Sequence, residues 1–121
     1  MATVLAVDDS PSIRQMIKVT LGPAGYTVIE AGDGAEGVAK AKANTLNLVI
    51  TDLNMPVMNG LDMIKNLRNL PSLTGVPILF LSTESDDSIK KEAKAAGATG
   101  WITKPFNPEQ LVAVVSKLTR A

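Results

Sequence analysis

Short apolar runs alternate with segments of helical periodicity along the whole chain, and this alternation restricts the fold more than any other feature. The apolar runs occupy residues 3–7, 26–30, 48–51, 78–81 and 101–103. They are nearly continuous instead of alternating in polarity, which is typical of parallel strands covered by helices on both faces. The sequence therefore predicts five buried parallel strands.

The segments between the apolar runs carry the boundary residues of helices. Ser10 and Asn107, each followed by a proline, predict the starts of the first and last helices. Asp33 with Glu36 predicts the second, and residues 86–96, stopped by Gly97, predict the fourth. The third is expected to contain Leu61, Ile64, Leu67 and Arg68. The inward positions are Ile13, Met16, Ile17 and Leu21 in the first helix, Ile89, Ala93 and Ala96 in the fourth, and Leu111, Val114, Val115 and Leu118 in the last, with Val112 spare beyond that stripe.

Five strand–helix units, (βα)₅, predict an α/β fold with a doubly wound parallel sheet and right-handed crossovers. The flavodoxin-like strand order 2-1-3-4-5 is expected, and a sheet of this order binds its ligand at the carboxyl ends of strands 1 and 3. The 121 residues are enough for one domain, residues 1–121, and no separate output domain is expected.

The composition excludes several kinds of chemistry. The chain has no histidine and no cysteine, which excludes Ser-His-Asp and Cys-His catalysis, disulfides, and zinc, haem and iron–sulfur sites with nitrogen or sulfur ligands. Its formal net charge is zero, so neither nucleic acid nor an anionic membrane is an expected partner. No signal peptide or membrane span is visible, and we expect a cytoplasmic protein.

Carboxylates follow the two strands at the predicted ligand site. Asp8 and Asp9 end strand 1, and Asp52 ends strand 3. Either aspartate of the pair, taken singly, is equally well explained as a helix cap. Together, the three carboxylates would repel one another unless a cation lies among them. Lys104, after strand 5, supplies one positive charge, and an all-oxygen ligand set favours Mg²⁺ for the rest.

This arrangement suits phosphoryl chemistry. Asp52, beside a metal ion, could attack a phosphoryl group and form an aspartyl phosphate. Lys104 would stabilise the charge on the transferring oxygens, and the hydroxyl of Ser82, after strand 4, could donate a hydrogen bond to one of them.

A glycine motif offers a competing interpretation. Gly32, Gly34 and Gly37 match the G-x-G-x-x-G fingerprint of dinucleotide-binding domains. The match follows strand 2 instead of strand 1, and Asp33 and Glu36 would face a pyrophosphate with like charge. We expect these glycines to form a loop and a close helix contact.

A set of motifs resembles the receiver domain of bacterial response regulators over essentially the whole chain. The matching residues are Asp8-Asp9, Asp52, Asn54-Met55-Pro56-x-Met58-x-Gly60, Ser82, Thr83-Glu84-Ser85, Gly97-Ala98-x-Gly100-Trp101 and Lys104-Pro105-Phe106. The likeness is strongest to the single-domain receivers of chemotaxis.

The resemblance implies a role for each matching residue. Asp52 would be the phosphoacceptor, assisted by Lys104 and by Ser82 as the switch hydroxyl. Mg²⁺ would be held directly by Asp9, Asp52 and the backbone carbonyl of Asn54, and through a water molecule by Asp8. Trp101 would be the aromatic switch residue, Asn54 and Glu84 would flank the water that hydrolyses the phosphate, and the Lys104–Pro105 peptide bond would be cis.

The resemblance also implies partners. A sensor histidine kinase would be the phosphodonor, the flagellar motor switch protein the target, and a phosphatase a further partner, for a receiver that acts as a monomer. Such a chain is not an enzyme, although it assists its own phosphorylation and autodephosphorylation. A phosphorelay shuttle or a phosphate sink would have the same fold. A Mg²⁺-dependent aspartyl-phosphate phosphatase is the enzymatic alternative, but it requires an Asp-x-Asp arrangement after strand 1.

Overall fold

Strands and helices alternate along the chain in a computed structural model, which describes residues 2–83 and 86–119. The strands are β1 (Thr3–Val7), β2 (Thr27–Ala31), β3 (Leu48–Thr51), β4 (Ile78–Ser82) and β5 (Gly100–Thr103). The helices are α1 (Pro11–Leu21), α2 (Gly34–Ala43), α3 (Gly60–Arg68), α4 (Asp87–Ala96) and α5 (Pro108–Thr119), with a single 3₁₀ turn at Pro71–Leu73.

The five strands form one parallel sheet in the order β2-β1-β3-β4-β5. The predicted α/β fold and strand order are therefore confirmed. The predicted strand bounds are off by one residue in three places: β2 begins and ends one residue later, β4 includes Ser82, and β5 begins at Gly100. None of the helices in the described ranges is long and apolar enough to cross a membrane.

Alternate residues of each strand supply two cores, one on each face of the sheet. Leu5 and Val7 belong to the core that is covered by α2, α3 and α4, whereas Val4 and Ala6 belong to the core under α1 and α5. This division follows from the period of two in a strand, which points neighbouring side chains to opposite faces. The two cores hold the sheet between two helical layers. Because all its strand pairs are parallel, the carboxyl ends of the strands lie along one edge.

The structure corrects the inward face of α1 and enlarges that of α3. Met16 is 47% exposed, while Ile17 and Leu21 are buried. The buried stripe runs at intervals of four residues, and Met16 lies about 100° around the helix from Ile17. In α3, Met63 is fully buried beside the predicted Ile64. In α5, Val112 is also packed against the core instead of being spare.

The glycine motif has a packing role in the structure. Gly34 donates its N–H to the carbonyl oxygen of Met58 at 3.1 Å, and a Cβ on Gly34 would lie 2.3 Å from that oxygen. Asp33 caps α2 by accepting from the N–H of Glu36 at 2.8 Å, and the Glu36 carboxylate accepts from the N–H of Gly32. The expected loop and close helix contact are therefore confirmed.

The loop between β3 and α3 contains a strained turn. The N–H of Met58 donates to the carbonyl of Pro56 at 2.7 Å, and Val57 between them has a φ of 67°. A γ-turn with positive φ is rare, and a β-branched residue tolerates it poorly. The Val57 side chain is 83% exposed, so packing does not compensate for the strain.

We expect Val57→Asn to stabilise the protein by about 1 kcal/mol, because asparagine adopts positive φ at lower cost. The free energy of unfolding in urea measures the effect. Val19→Asn is the matched control, since Val19 is also exposed, at 60%, but lies within α1. A gain in both variants, or in neither, would contradict a strained turn at Val57.

Candidate functional site

Three carboxylates meet at the carboxyl edge of the sheet. Asp8 and Asp9 follow β1, Asp52 follows the neighbouring β3, and one carboxylate oxygen from each lies within 4.8 Å of the other two. Asp8 is 2% exposed and Asp52 is 9% exposed, whereas Asp9 is open to solvent. The structure thus brings together the three aspartates that the sequence places at the ends of strands 1 and 3.

The backbone fixes the two buried aspartates. Asp8 donates its N–H to Ala31 at 3.1 Å, and Asp52 donates its N–H to Val7 at 2.9 Å, so both continue the ladders of the sheet. Their side chains are restrained as well: Asp8 Oδ1 accepts from the N–H of Ser10 at 2.9 Å, and Asp52 Oδ1 accepts from the N–H of Leu53 at 2.7 Å. Each carboxylate consequently presents its second oxygen, Oδ2, in a defined position.

Lys104 connects these two second oxygens. Its Nζ lies 2.7 Å from Asp8 Oδ2 and 3.3 Å from Asp52 Oδ2. The lysine follows β5, its N–H donates to the carbonyl of Ser82 at 2.8 Å, and the Lys104–Pro105 peptide bond is cis, as the resemblance implied. One ammonium therefore stands against three carboxylates, which leaves a local excess of negative charge.

Burial and the ion pair between Asp8 and Lys104 shift the pKa of each residue in opposite directions. Burial raises the pKa of Asp8, and its hydrogen bond to Lys104 offsets that rise in part. For Lys104, burial acts to lower the pKa, but the hydrogen bonds and charges of Asp8 and Asp52 together outweigh it, so the pKa lies above its ordinary value. The ammonium form of Lys104 is thus stabilised by the fold.

The raised pKa of Lys104 predicts a loss of stability in alkali. A basic group whose pKa is higher in the folded state stabilises the fold fully below its unfolded pKa of about 10.5 and loses this contribution as the pH rises through the folded value. As the pH rises above about 10.5, the free energy of unfolding should therefore fall more in the wild type than in Lys104→Met. Equal losses in the two proteins would contradict a contribution from Lys104.

The remaining predicted residues lie around this cluster. Ser82 is fully buried at the end of β4, opposite Thr103 of β5. Asn54 is exposed in the loop that follows Asp52. Glu84 lies outside the residues that the structure describes. The roles of Ser82, Asn54 and Glu84 remain predictions.

Trp101, the predicted switch residue, lies on β5. It is the register partner of Phe80 on β4, and the two rings are stacked with their centroids 5.1 Å apart. Phe80 is fully buried and Trp101 is half-buried, and Lys90 of α4 places its Nζ 6.0 Å from the centroid of the indole. The indole thus lies between the sheet and α4, and its role as a switch residue remains a prediction.

Arg14 is a residue of the site that was not predicted. Its Nη1 donates to the backbone carbonyl of Asp8 at 2.6 Å, and its Nε lies 3.3 Å from Glu30 Oε1 on β2. Side chains of a helix lean toward its N-terminus. An arginine in the first turn of the helix after Asp8-Asp9 is therefore a signal that could have identified it.

The donor set of this cluster fits a magnesium ion. All three groups are carboxylates, the hard oxygen ligands that Mg²⁺ prefers. One oxygen of each carboxylate lies within 4.8 Å of an oxygen of the other two. The negative charge left after pairing with Lys104 is what a divalent cation would compensate. Mg²⁺ at these residues is therefore chemically consistent with the geometry.

Comparison with known proteins places this geometry in a family. The model of the response regulator receiver domain matches residues 4–116. The chain is 42% identical over 110 residues to the chemotaxis protein CheY1 of Helicobacter pylori, covering 89% of each. It is 36% identical over 115 residues to hybrid signal transduction histidine kinase D of Dictyostelium discoideum, covering 95% of this chain but spanning only 7% of that kinase.

Solved structures give the same result. The chemotaxis protein CheY4 of Vibrio cholerae is 50% identical to the chain and superposes with a TM-score of 0.94. The match covers 98% of each of the two chains. Sequence, fold and the convergence of aspartates and lysine at one edge of the sheet therefore agree: the chain belongs to the receiver domains of two-component response regulators.

Proposed function

We propose that Asp52 accepts a phosphoryl group from the phosphohistidine of a sensor histidine kinase, and that the phosphorylated chain signals by contact with another protein. The observation that carries this proposal is the position of Lys104 Nζ, 3.3 Å from Asp52 Oδ2. An ammonium so placed could pair with a phosphoryl group on that oxygen. Asp52 is also restrained at Oδ1, which orients Oδ2 for attack.

In the proposed reaction, Asp52 Oδ2 forms an O–P bond as the N–P bond of the phosphohistidine breaks, and the imidazole keeps the bonding electron pair. Lys104 would move from the carboxylate pair to the phosphoryl oxygens, and the Ser82 hydroxyl would donate to one of them. Asp9, Asp52 and the Asn54 carbonyl would hold Mg²⁺, with Asp8 acting through water. When bound, Mg²⁺ would add positive charge beside the transferring group.

Magnesium binding predicts a shift in stability. We expect Mg²⁺ at several times its Kd to raise the free energy of unfolding of the wild type by roughly 1 kcal/mol. Asp9→Ala should lose most of this gain, because Asp9 would be a direct ligand of the ion. Thermal melting with and without Mg²⁺ measures both effects, and an equal Mg²⁺ response in the two proteins would remove Asp9 from the ligand set.

The proposed output is chemotactic, through the flagellar motor switch protein, and the face made by α4, β5 and α5 would carry it. In helix α4, Ala93 is fully buried, whereas Ile89 and Ala96 are half-buried. A helix with so little buried apolar surface is suited to move. We further propose that the receiver domain acts in the cytoplasm, as a monomer that hydrolyses its own phosphate.

Trp101 allows the switch to be tested directly, because it is the one tryptophan in the sequence. Adding beryllofluoride, a phosphoryl mimic, together with Mg²⁺ should change its fluorescence. Asp52→Asn should abolish the response and Ser82→Ala should reduce it. Trp101→Ala should weaken binding of the motor switch protein even when phosphorylation is normal. Phosphotransfer without any binding to that protein would favour a shuttle or a phosphate sink instead.

A further inference from the structure

We propose that Arg14 is a positioning residue for the magnesium site, and that it acts by fixing the peptide bond between Asp8 and Asp9. The inference rests on the proposed function, because it concerns how the same site is held. The three aspartates of the cluster differ in how firmly their side chains are held. Asp8 and Asp52 are restrained by backbone and side-chain hydrogen bonds. Within the described ranges, by contrast, the Asp9 carboxylate has no hydrogen bond or ion pair.

The orientation of Asp9 therefore depends on the backbone that leads into it. The carbonyl group of Asp8 belongs to the same planar peptide unit as the nitrogen of Asp9. Arg14 Nη1 donates to this carbonyl oxygen at 2.6 Å. Holding the oxygen fixes the plane of the peptide, and with it the direction in which the Asp9 side chain leaves the backbone.

Two neighbouring residues of strand β2 support this arrangement. The carbonyl of Ala31 accepts the N–H of Asp8 at 3.1 Å, and the neighbouring Glu30 accepts from Nε of Arg14 at 3.3 Å. The guanidinium thus bridges β2 and the turn after β1. Its planar set of donors can hold both acceptors at once, whereas the single ammonium of a lysine cannot reproduce that geometry.

Two substitutions separate positioning from simple electrostatics. Arg14→Lys keeps the charge and loses the bridge, so we expect the Kd for Mg²⁺ to rise about tenfold, as is typical of groups that orient metal ligands. Arg14→Gln removes a positive charge beside the cluster. Charge alone would then strengthen Mg²⁺ binding, whereas the proposed positioning role requires it to become weaker.

The measurement is isothermal titration calorimetry of the chain with MgCl₂, and thermal melting in EDTA reports the stability of each variant. Lys18→Gln is the matched control, because it removes a charge from an exposed position one turn further along α1, and it should leave the Kd unchanged. Weaker binding in both Arg14 variants supports the inference. An unchanged Kd in Arg14→Lys, or tighter binding in Arg14→Gln, overturns it. Absence of Mg²⁺ binding in the wild type would instead contradict the proposed function.

Discussion

Asp52→Asn is expected to abolish phosphoryl transfer to the chain while leaving it folded. The amide is nearly the same size as the carboxylate, and its oxygen can still accept the N–H of Leu53, which Asp52 Oδ1 accepts at 2.7 Å. It is, however, a poor nucleophile, so no acyl phosphate should form. The measurement is the acid-labile phosphate retained after incubation with a phosphorylated histidine kinase and Mg²⁺.

Stability provides an independent check on the same variant. Replacing Asp52 removes one of three clustered negative charges, and Lys104 keeps its 2.7 Å contact with Asp8. In Mg²⁺-free buffer, the free energy of unfolding of Asp52→Asn should therefore equal or exceed that of the wild type. Asp62→Asn, at an exposed position in the first turn of α3, is the matched control and should be phosphorylated normally. Phosphate retained by Asp52→Asn would refute the assignment of the phosphoacceptor.

Gly60→Ala should be strongly destabilising, by about 3 kcal/mol. A Cβ at this position would lie 2.2 Å from the carbonyl oxygen of Asp52 and 2.9 Å from the ring of Phe80. The nearest atom is backbone, so a side-chain rotation cannot relieve the clash. Relief would require α3 to move away from the end of β3, which would also displace Asp52.

The same variant should therefore lose phosphotransfer as well as stability. Urea unfolding and the phosphotransfer assay test the two effects separately. Gly32→Ala is the control, because a Cβ there would meet its nearest neighbours at 3.6 Å, and both stability and phosphotransfer should be close to those of the wild type. A Gly60→Ala protein with wild-type stability would show that the contact between α3 and β3 is looser than the structure indicates.

The features that could be predicted from sequence are those that repeat along the chain or lie next to each other in it. The strands and helices follow from apolar periodicity and capping residues, and the strand order places Asp8, Asp9 and Asp52 at one edge. Ser10 and Asp33 were recognisable as helix caps because a cap acts on residues two or three positions away.

The features that could not be predicted depend on how separate elements approach one another. The bridge from Arg14 to Asp8 and Glu30 requires the distance between α1 and β2. The absence of space at Gly60 depends on the approach of α3 to β3. The exposure of Met16 depends on where the other helix of that layer, α5, lies. Periodicity contains none of these distances, because it reports which face of an element is apolar but not what covers it.

The contact between Asp8 and Lys104 joins residues that are 96 positions apart, and this has a consequence for the newly made protein. During synthesis, the aspartates of β1 and β3 leave the ribosome well before β5 and its lysine. Until β5 docks beside β4, the acidic residues have no lysine to partner them. A contact of such long sequence separation also closes a long loop, which carries an entropic cost. If the site acts as proposed, a partly synthesised chain would lack its lysine and would not accept phosphate from a kinase before β5 has joined the sheet.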